Sequence, residues 1–195
     1  MISVTLGKMV SLCYNISIMK NYIVFDLEWN QSANGKERSI PHFPFEIIEI
    51  GAVKLNEAFQ MVDEFHRLIR PQVYTQMHHA ISEVTHMDMK ELRNSGELFP
   101  DAAADFLSWC GGDAVFCTWG NMDLLELQRN MDYYHMDNPF PKPLFYYDVQ
   151  KLYGLFRREN ARISLDSAVE EQSLLENRPF HRALDDAYYT GKLLT

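Results

Sequence analysis

The sequence predicts an α/β domain, a mixed sheet with helices packed on it. Three observations carry that prediction. Strand-like runs come first, between residues 22 and 69, and apolar residues then recur at three- and four-residue spacing after Pro71. A short apolar run over 114–118 is lodged between two of these helical stretches. Length sets the scale, because 195 residues suffice for one domain of ordinary size.

In chain order, Tyr22-Ile-Val-Phe is apolar and β-prone and leads into Asp26-Leu-Glu28-Trp29. A polar stretch over 30–44 follows, with an Asn34-Gly35 turn and Lys36 and Arg38 near its tip. Residues 47–55 alternate enough for a second strand, and 65–69 give a third that Arg70-Pro71 ends. Helices are predicted around 77–84, 101–109 and 123–134, then near 146–156, 164–171 and 181–194. No repeat, linker or charge block interrupts 21–195, which read as one domain. Residues 1–20 stand outside it as an N-terminal extension. That extension has one early cation, Lys8, an apolar run broken by Ser11, Asn15 and Ser17, and no small-residue cleavage site, so it does not read as a secretion signal. Met19 opens directly into the first strand and is a candidate start.

A hydrophobic fraction of 47% and a charged fraction of 23% exclude disordered and low-complexity classes. No apolar stretch reaches the ~20 residues of a membrane span. Three cysteines, Cys13, Cys110 and Cys117, form no CxxC pair, so neither a disulfide framework nor a zinc site is indicated and the reducing cytoplasm is the expected compartment. The net charge of −9 opposes nonspecific nucleic-acid binding. Two bound divalent cations would reverse that field locally, which keeps a metal-dependent enzyme open.

The chemistry concentrates at strand and helix ends. Asp26 and Glu28, two apart on a strand, project to one face and converge on a single metal. About one Asp-x-Glu is expected by chance among 13 Asp and 14 Glu, so placement at the end of a buried strand is what singles the pair out. Asp123 follows the 114–118 strand, either as a first-turn acid favoured by the helix dipole or as a third carboxylate facing the pair. His181 stands at a predicted helix start, where the dipole disfavours imidazolium, and is a candidate general base. Asp185 and Asp186 compete for a fourth acidic role.

Taken in order, Asp26, Glu28, Asp123, His181 and Asp186 resemble the DnaQ-like (DEDDh) 3′→5′ exonuclease superfamily. Glu46-Ile-Ile-Glu-Ile-Gly-Ala-Val, Arg70-Pro71, Trp119-Gly-Asn-Met-Asp123 and His181-x-Ala-Leu-Asp-Asp186-Ala are similar to the branch holding KapD-type and Eri-type exonucleases, from about Tyr22 to the C-terminus. The resemblance implies a ribonuclease H-like fold with a five-stranded mixed sheet, and its spacing selects Asp186 over Asp185. It implies that Asp26, Glu28, Asp123 and Asp186 hold two Mg²⁺ or Mn²⁺ ions and that His181 takes a proton from the attacking water. Leu27, Trp29 and Met122 are the implied substrate-binding residues, with Trp119 as a further lining candidate and Lys36, Arg38, Arg178 and Arg182 as candidate phosphate contacts. The implied substrate is single-stranded nucleic acid, RNA before DNA. A DNA proofreading or repair exonuclease is the alternative, and a binding module without catalysis is disfavoured because all five residues are present.

Overall fold

A computed structural model of the chain describes residues 20–35, 38–159 and 162–195. The N-terminal extension up to residue 19, with Cys13, and the candidate phosphate contact Lys36 lie outside the described residues. Five strands, β1 (Asn21–Asn30), β2 (Glu46–Leu55), β3 (Met61–Leu68), β4 (Ala114–Thr118) and β5 (Tyr146–Asp148), form one sheet in the order β3-β2-β1-β4-β5. The β1–β2 and β2–β3 pairs are antiparallel, and β1–β4 and β4–β5 are parallel. The sheet is therefore mixed and five-stranded, as the sequence predicts.

Seven helices among the described residues accompany it: α1 (His79–Thr85), α2 (Met89–Ser95), α3 (Phe99–Cys110), α4 (Met122–Tyr133), α5 (Val149–Arg157), α6 (Leu165–Glu171) and α7 (Ala183–Leu193). Three differ from expectation. Residues 146–148 are not the first turn of a helix but the edge strand β5, and α5 starts only at Val149, after Asp148 caps it by accepting from the Lys151 amide. The helix expected from 181 begins at Ala183, which leaves His181 in the preceding loop with φ of 64°. The short helix α2 was not foreseen, because it buries only Leu92 and shows no apolar stripe.

Strand alternation divides β1 between two cores. Ile23, Phe25 and Leu27 face a cluster shared with α3 and α4, including Phe106 and Leu127. Val24, joined by Val53, Leu55 and Cys117, packs on the other face beneath residues of α7, among them Leu184 and Tyr188. Asp26 and Glu28 continue the Val24 face, so the strand period aims both carboxylates at the side on which α7 lies. The exposed edge of β3 carries Asp63 and Glu64, charges that discourage strand addition.

Gly51, paired with Asp26 across β1–β2, is where α7 comes nearest the sheet. A Cβ at Gly51 would overlap the backbone of Ala183 and Leu184. Gly51→Ala is therefore expected to destabilise the fold by about 3 kcal/mol, the upper range for inserting a carbon into a packed core, read as a lower urea midpoint. A wild-type midpoint would mean that α7 can shift without cost.

Candidate active site

β1 is longer than the part of it that β4 covers. The parallel pairing runs from Asn21 to Val24 and stops, while the antiparallel pairing with β2 continues through Asn30. Past Val24 the β4 side of β1 is therefore filled by something other than strand, and α4 supplies it. Asp123, in the first turn of α4, accepts a 3.2 Å hydrogen bond from the Leu27 amide, satisfying a donor the ladder leaves over. The bond places Asp123, 5% exposed, beside the two β1 carboxylates.

The third element is α7. Asp185 and Asp186 lie in its first turn, where acids are favoured by the helix dipole. They diverge: Asp185 is engaged by Arg178 at 3.1 Å, whereas Asp186 faces β1. Carboxylate oxygens of Asp26, Glu28 and Asp186 lie within 4.8 Å of one another, and among the described residues this is the one such cluster able to hold a metal ion. The backbone N–H of His181 donates to both carboxylate oxygens of Asp186 at 3.3 Å. The two aspartates thus part, Asp186 joining the β1 pair and Asp185 pairing with Arg178.

Crowding four acids into a partly dry site has an electrostatic cost, visible in their protonation. Burial, followed by the charges of Asp123, Glu28 and Asp186, holds Asp26 well above the ordinary carboxylate range. Burial and then Asp186 and Glu49 raise Glu28 to about 8. Burial raises Asp123 to about 7 against the opposing bonds it accepts, and Asp186 likewise reaches about 7. A divalent cation among these oxygens would remove both penalties, since hard oxygen donors and a local excess of negative charge are what Mg²⁺ or Mn²⁺ requires. The donor set fits such an ion.

An acid with a raised folded-state pKa binds its proton more tightly folded than unfolded. Its stabilising contribution is complete below about pH 4 and is lost as pH rises through about 7 for Asp123 and Asp186 and about 8 for Glu28. In EDTA the melting temperature is therefore expected to fall between about pH 5 and pH 8, and saturating Mn²⁺ to flatten that fall. A melting temperature that rises over the same interval in EDTA contradicts the mutual repulsion of these groups.

The remaining candidates separate. His181 is exposed, and its imidazole is not among the groups clustered with Asp26, Glu28 and Asp186. Its charge acts on Asp166, whose carboxyl is held low mainly by the Ser164 hydroxyl. The expected helical placement, with His181 in the helix dipole, is corrected: the residue precedes the cap, Arg182. Leu27 is 3% exposed and its side chain belongs to the α3–α4 core, which withholds that side chain from a ligand. Past a bulge between Glu28 and Trp29, the Trp29 ring leans on Phe45 at 5.5 Å against the same core. Met122 is exposed at the start of α4, next to Asp123, and remains free to meet a ligand. Trp119 packs beside Tyr153 at 6.0 Å.

Two candidate phosphate contacts are engaged by partners within the protein. Arg178 pairs with Glu64 and Asp185 and lies over the Tyr188 ring, and Arg182 pairs with Glu49. Arg38 is exposed. Sequence reasoning missed Glu49 altogether; its signal was an acid inside the apolar run 46–55, on the face shared with Glu28. It also missed Glu126, fully buried on α4 and paired with Arg129 at 2.6 Å, whose charge adds to the elevation of Asp123. Cys110 and Cys117 are buried, which pushes both thiols up to about 12 and leaves them unreactive.

Comparison with known proteins gives a consistent picture. A family model described as Exonuclease matches residues 23–194. The probable 3′-5′ exonuclease KapD of Bacillus subtilis (strain 168) is 28% identical over 181 residues, covering 88% of this chain and 81% of that protein. A PolC-type DNA polymerase III of Thermotoga petrophila is 33% identical over 150 residues, 76% of this chain but only 10% of the polymerase. Among solved structures, the nuclease domain of 3′hExo, a DEDDh family member bound to rAMP, superposes with a TM-score of 0.73 at 23% identity over 91% of each chain.

Proposed function

The chain belongs to the exonuclease family, and from that premise we propose that it removes nucleotides one at a time from the 3′ end of single-stranded RNA or of RNA overhangs. The observation that carries this is the convergence of Asp26, Glu28 and Asp186 within 4.8 Å, with Asp123 tied to the same strand. Asp26, Glu28 and Asp186 would hold one Mg²⁺ or Mn²⁺, and Asp26 with Asp123 a second. Bound there, the ions supply positive charge to the scissile phosphate and to its attacking and leaving oxygens.

The protein's own groups do the rest. Asp123 fixes the Leu27 backbone through its amide, and Met122 meets the terminal nucleotide. His181, at the open rim, accepts the proton of the attacking water on an imidazole nitrogen as the new P–O bond forms. The P–O3′ bond breaks, its electron pair going to the 3′-oxygen, which takes a proton from solvent water, and a nucleoside 5′-monophosphate leaves a strand shortened by one, ending in a 3′-hydroxyl. Apo geometry does not disqualify a base that stands away from the cluster, since catalytic hydrogen bonds tighten only around substrate. RNA is favoured because a fold neighbour matched over 91% of its own chain, the nuclease domain of 3′hExo, is bound to the ribonucleotide rAMP. DNA remains the second reading, favoured by the likeness to the PolC-type polymerase.

The experiment is degradation of 5′-labelled RNA and DNA of identical sequence with Mn²⁺, Mg²⁺ or EDTA. A metal-dependent ladder shortening from the 3′ end, faster on RNA, is expected. Faster loss of DNA would transfer the substrate to the second reading. No loss of either strand would overturn the proposal.

A further inference from the structure

The five residues assigned to hydrolysis leave one buried carboxylate on their face without a task. Glu49 is 1% exposed and lies directly across β1–β2 from Glu28. Its charge adds to the elevation of Asp26, Glu28 and Asp186. An acid that burdens the cluster this way needs a compensating arrangement, and its donors supply one. Arg182 Nη2 and Nε donate to Oε1 at 2.8 and 3.1 Å, Nε also reaches Oε2 at 3.2 Å, and the Ala183 amide donates to Oε2 at 3.0 Å. His66 Nε2, from β3, completes the set at 2.6 Å from Oε1. Burial alone would raise Glu49, but the bonds from His66, Arg182 and Ala183 outweigh it and hold the carboxyl below its ordinary value.

The donors are not scattered. Arg182 is the cap of α7 and Ala183 its first residue, so a single carboxylate on β2 grips the helix start by side chain and backbone together. Arg182 has no cap hydrogen bond of its own side chain to offer the helix, which is unusual chemistry for that position. His181 immediately precedes the gripped pair and takes a φ of 64°, a conformation that side-chain-bearing residues hold only when their surroundings impose it. Asp186 follows within the first turn and accepts from the His181 amide. We infer that Glu49 and Arg182 form a latch that positions the start of α7, and through it His181 and Asp186, against Asp26 and Glu28. Neither latch residue touches substrate; both are positioning residues for the hydrolysis proposed above, on which this inference rests. Arg suits the task because its planar fork fixes direction as well as charge, which an ammonium does not.

Glu49→Gln keeps an acceptor for the Ala183 amide and removes the charge that draws in the guanidinium. Arg182→Lys keeps the cation and removes the fork. Each is expected to lower kcat by roughly 10- to 100-fold with KM for the RNA strand unchanged, and to weaken Mn²⁺ binding, followed by calorimetry without nucleic acid, by a similar factor. The double variant is expected to fall no further than the worse single, because the pair acts as one unit. A lower melting temperature with wild-type kcat and Mn²⁺ affinity would show a merely structural ion pair and overturn the latch. Should Glu49→Gln not fold, Arg182→Lys carries the same readouts. The calorimetric arm separates this inference from the functional reading. If the wild-type protein degrades no strand, unchanged Mn²⁺ affinity in the variants still overturns the latch and weakened affinity still upholds it.

Discussion

Asp26→Asn is expected to lower kcat by at least about 10³-fold, equivalent to about 4 kcal/mol of lost transition-state stabilisation, while the folded protein persists. Asp26 is the residue that the other acids crowd: its carboxyl is raised by burial first and then by Asp123, Glu28 and Asp186. Asparagine keeps its volume and one oxygen, so packing on the Val24 face is undisturbed. It removes the charge by which that position would be shared between two ions. The same removal relieves repulsion when no ion is bound, so the variant in EDTA is expected to melt higher than the wild type near pH 8. Activity assay and thermal melting on one preparation read both effects. Wild-type turnover in the variant would end the assignment of this site, and loss of activity accompanied by unfolding would place Asp26 in the architecture instead.

His181→Ala is expected to cost 10²- to 10⁴-fold in kcat, the usual contribution of a positioned general base, with Mn²⁺ affinity close to wild type. The asymmetry with Asp26 follows from placement. His181 is exposed, and only its backbone amide engages Asp186, a contact that alanine retains. At φ of 64° alanine, like histidine, is held by its surroundings, and the retained amide bond to Asp186 keeps the loop in place. A variant with an unaltered rate at neutral pH would assign the proton transfer to another group.

Much of this arrangement is legible in the residues because strand periodicity is a short-range signal. Asp26 and Glu28 share a face by alternation alone, and β1, β2 and β4 follow from their apolar runs. Residues that depend on distant partners are less visible. The short stretch 146–148 is too brief to display a period and merges with the helix after it; pairing with β4 makes it a strand. The start of α7 carries no Ser, Thr or Asp cap, since Arg182 occupies the position and is committed to Glu49, 133 residues away. Glu49 itself reads in sequence as one polar position within a strand, and only the approach of α7 reveals what it binds. The resemblance selects Asp186 over Asp185, but the partner that occupies Asp185, Arg178, is connected to it by no local pattern.

The Leu27–Asp123 bond joins residues 96 positions apart, and the Glu49–Ala183 bond joins residues 134 apart. Closing such loops is slow relative to forming a helix or hairpin, and its entropy must be met before any of the contacts can reward it. The clustered carboxylates therefore come together only when the chain has folded throughout, and no single hairpin or helical fragment presents all of them. In refolding from urea, recovery of Mn²⁺ affinity is expected to be the last event, later than helical circular dichroism. A bound ion would then act as a thermodynamic lock on completed molecules, slowing unfolding far more than it speeds folding.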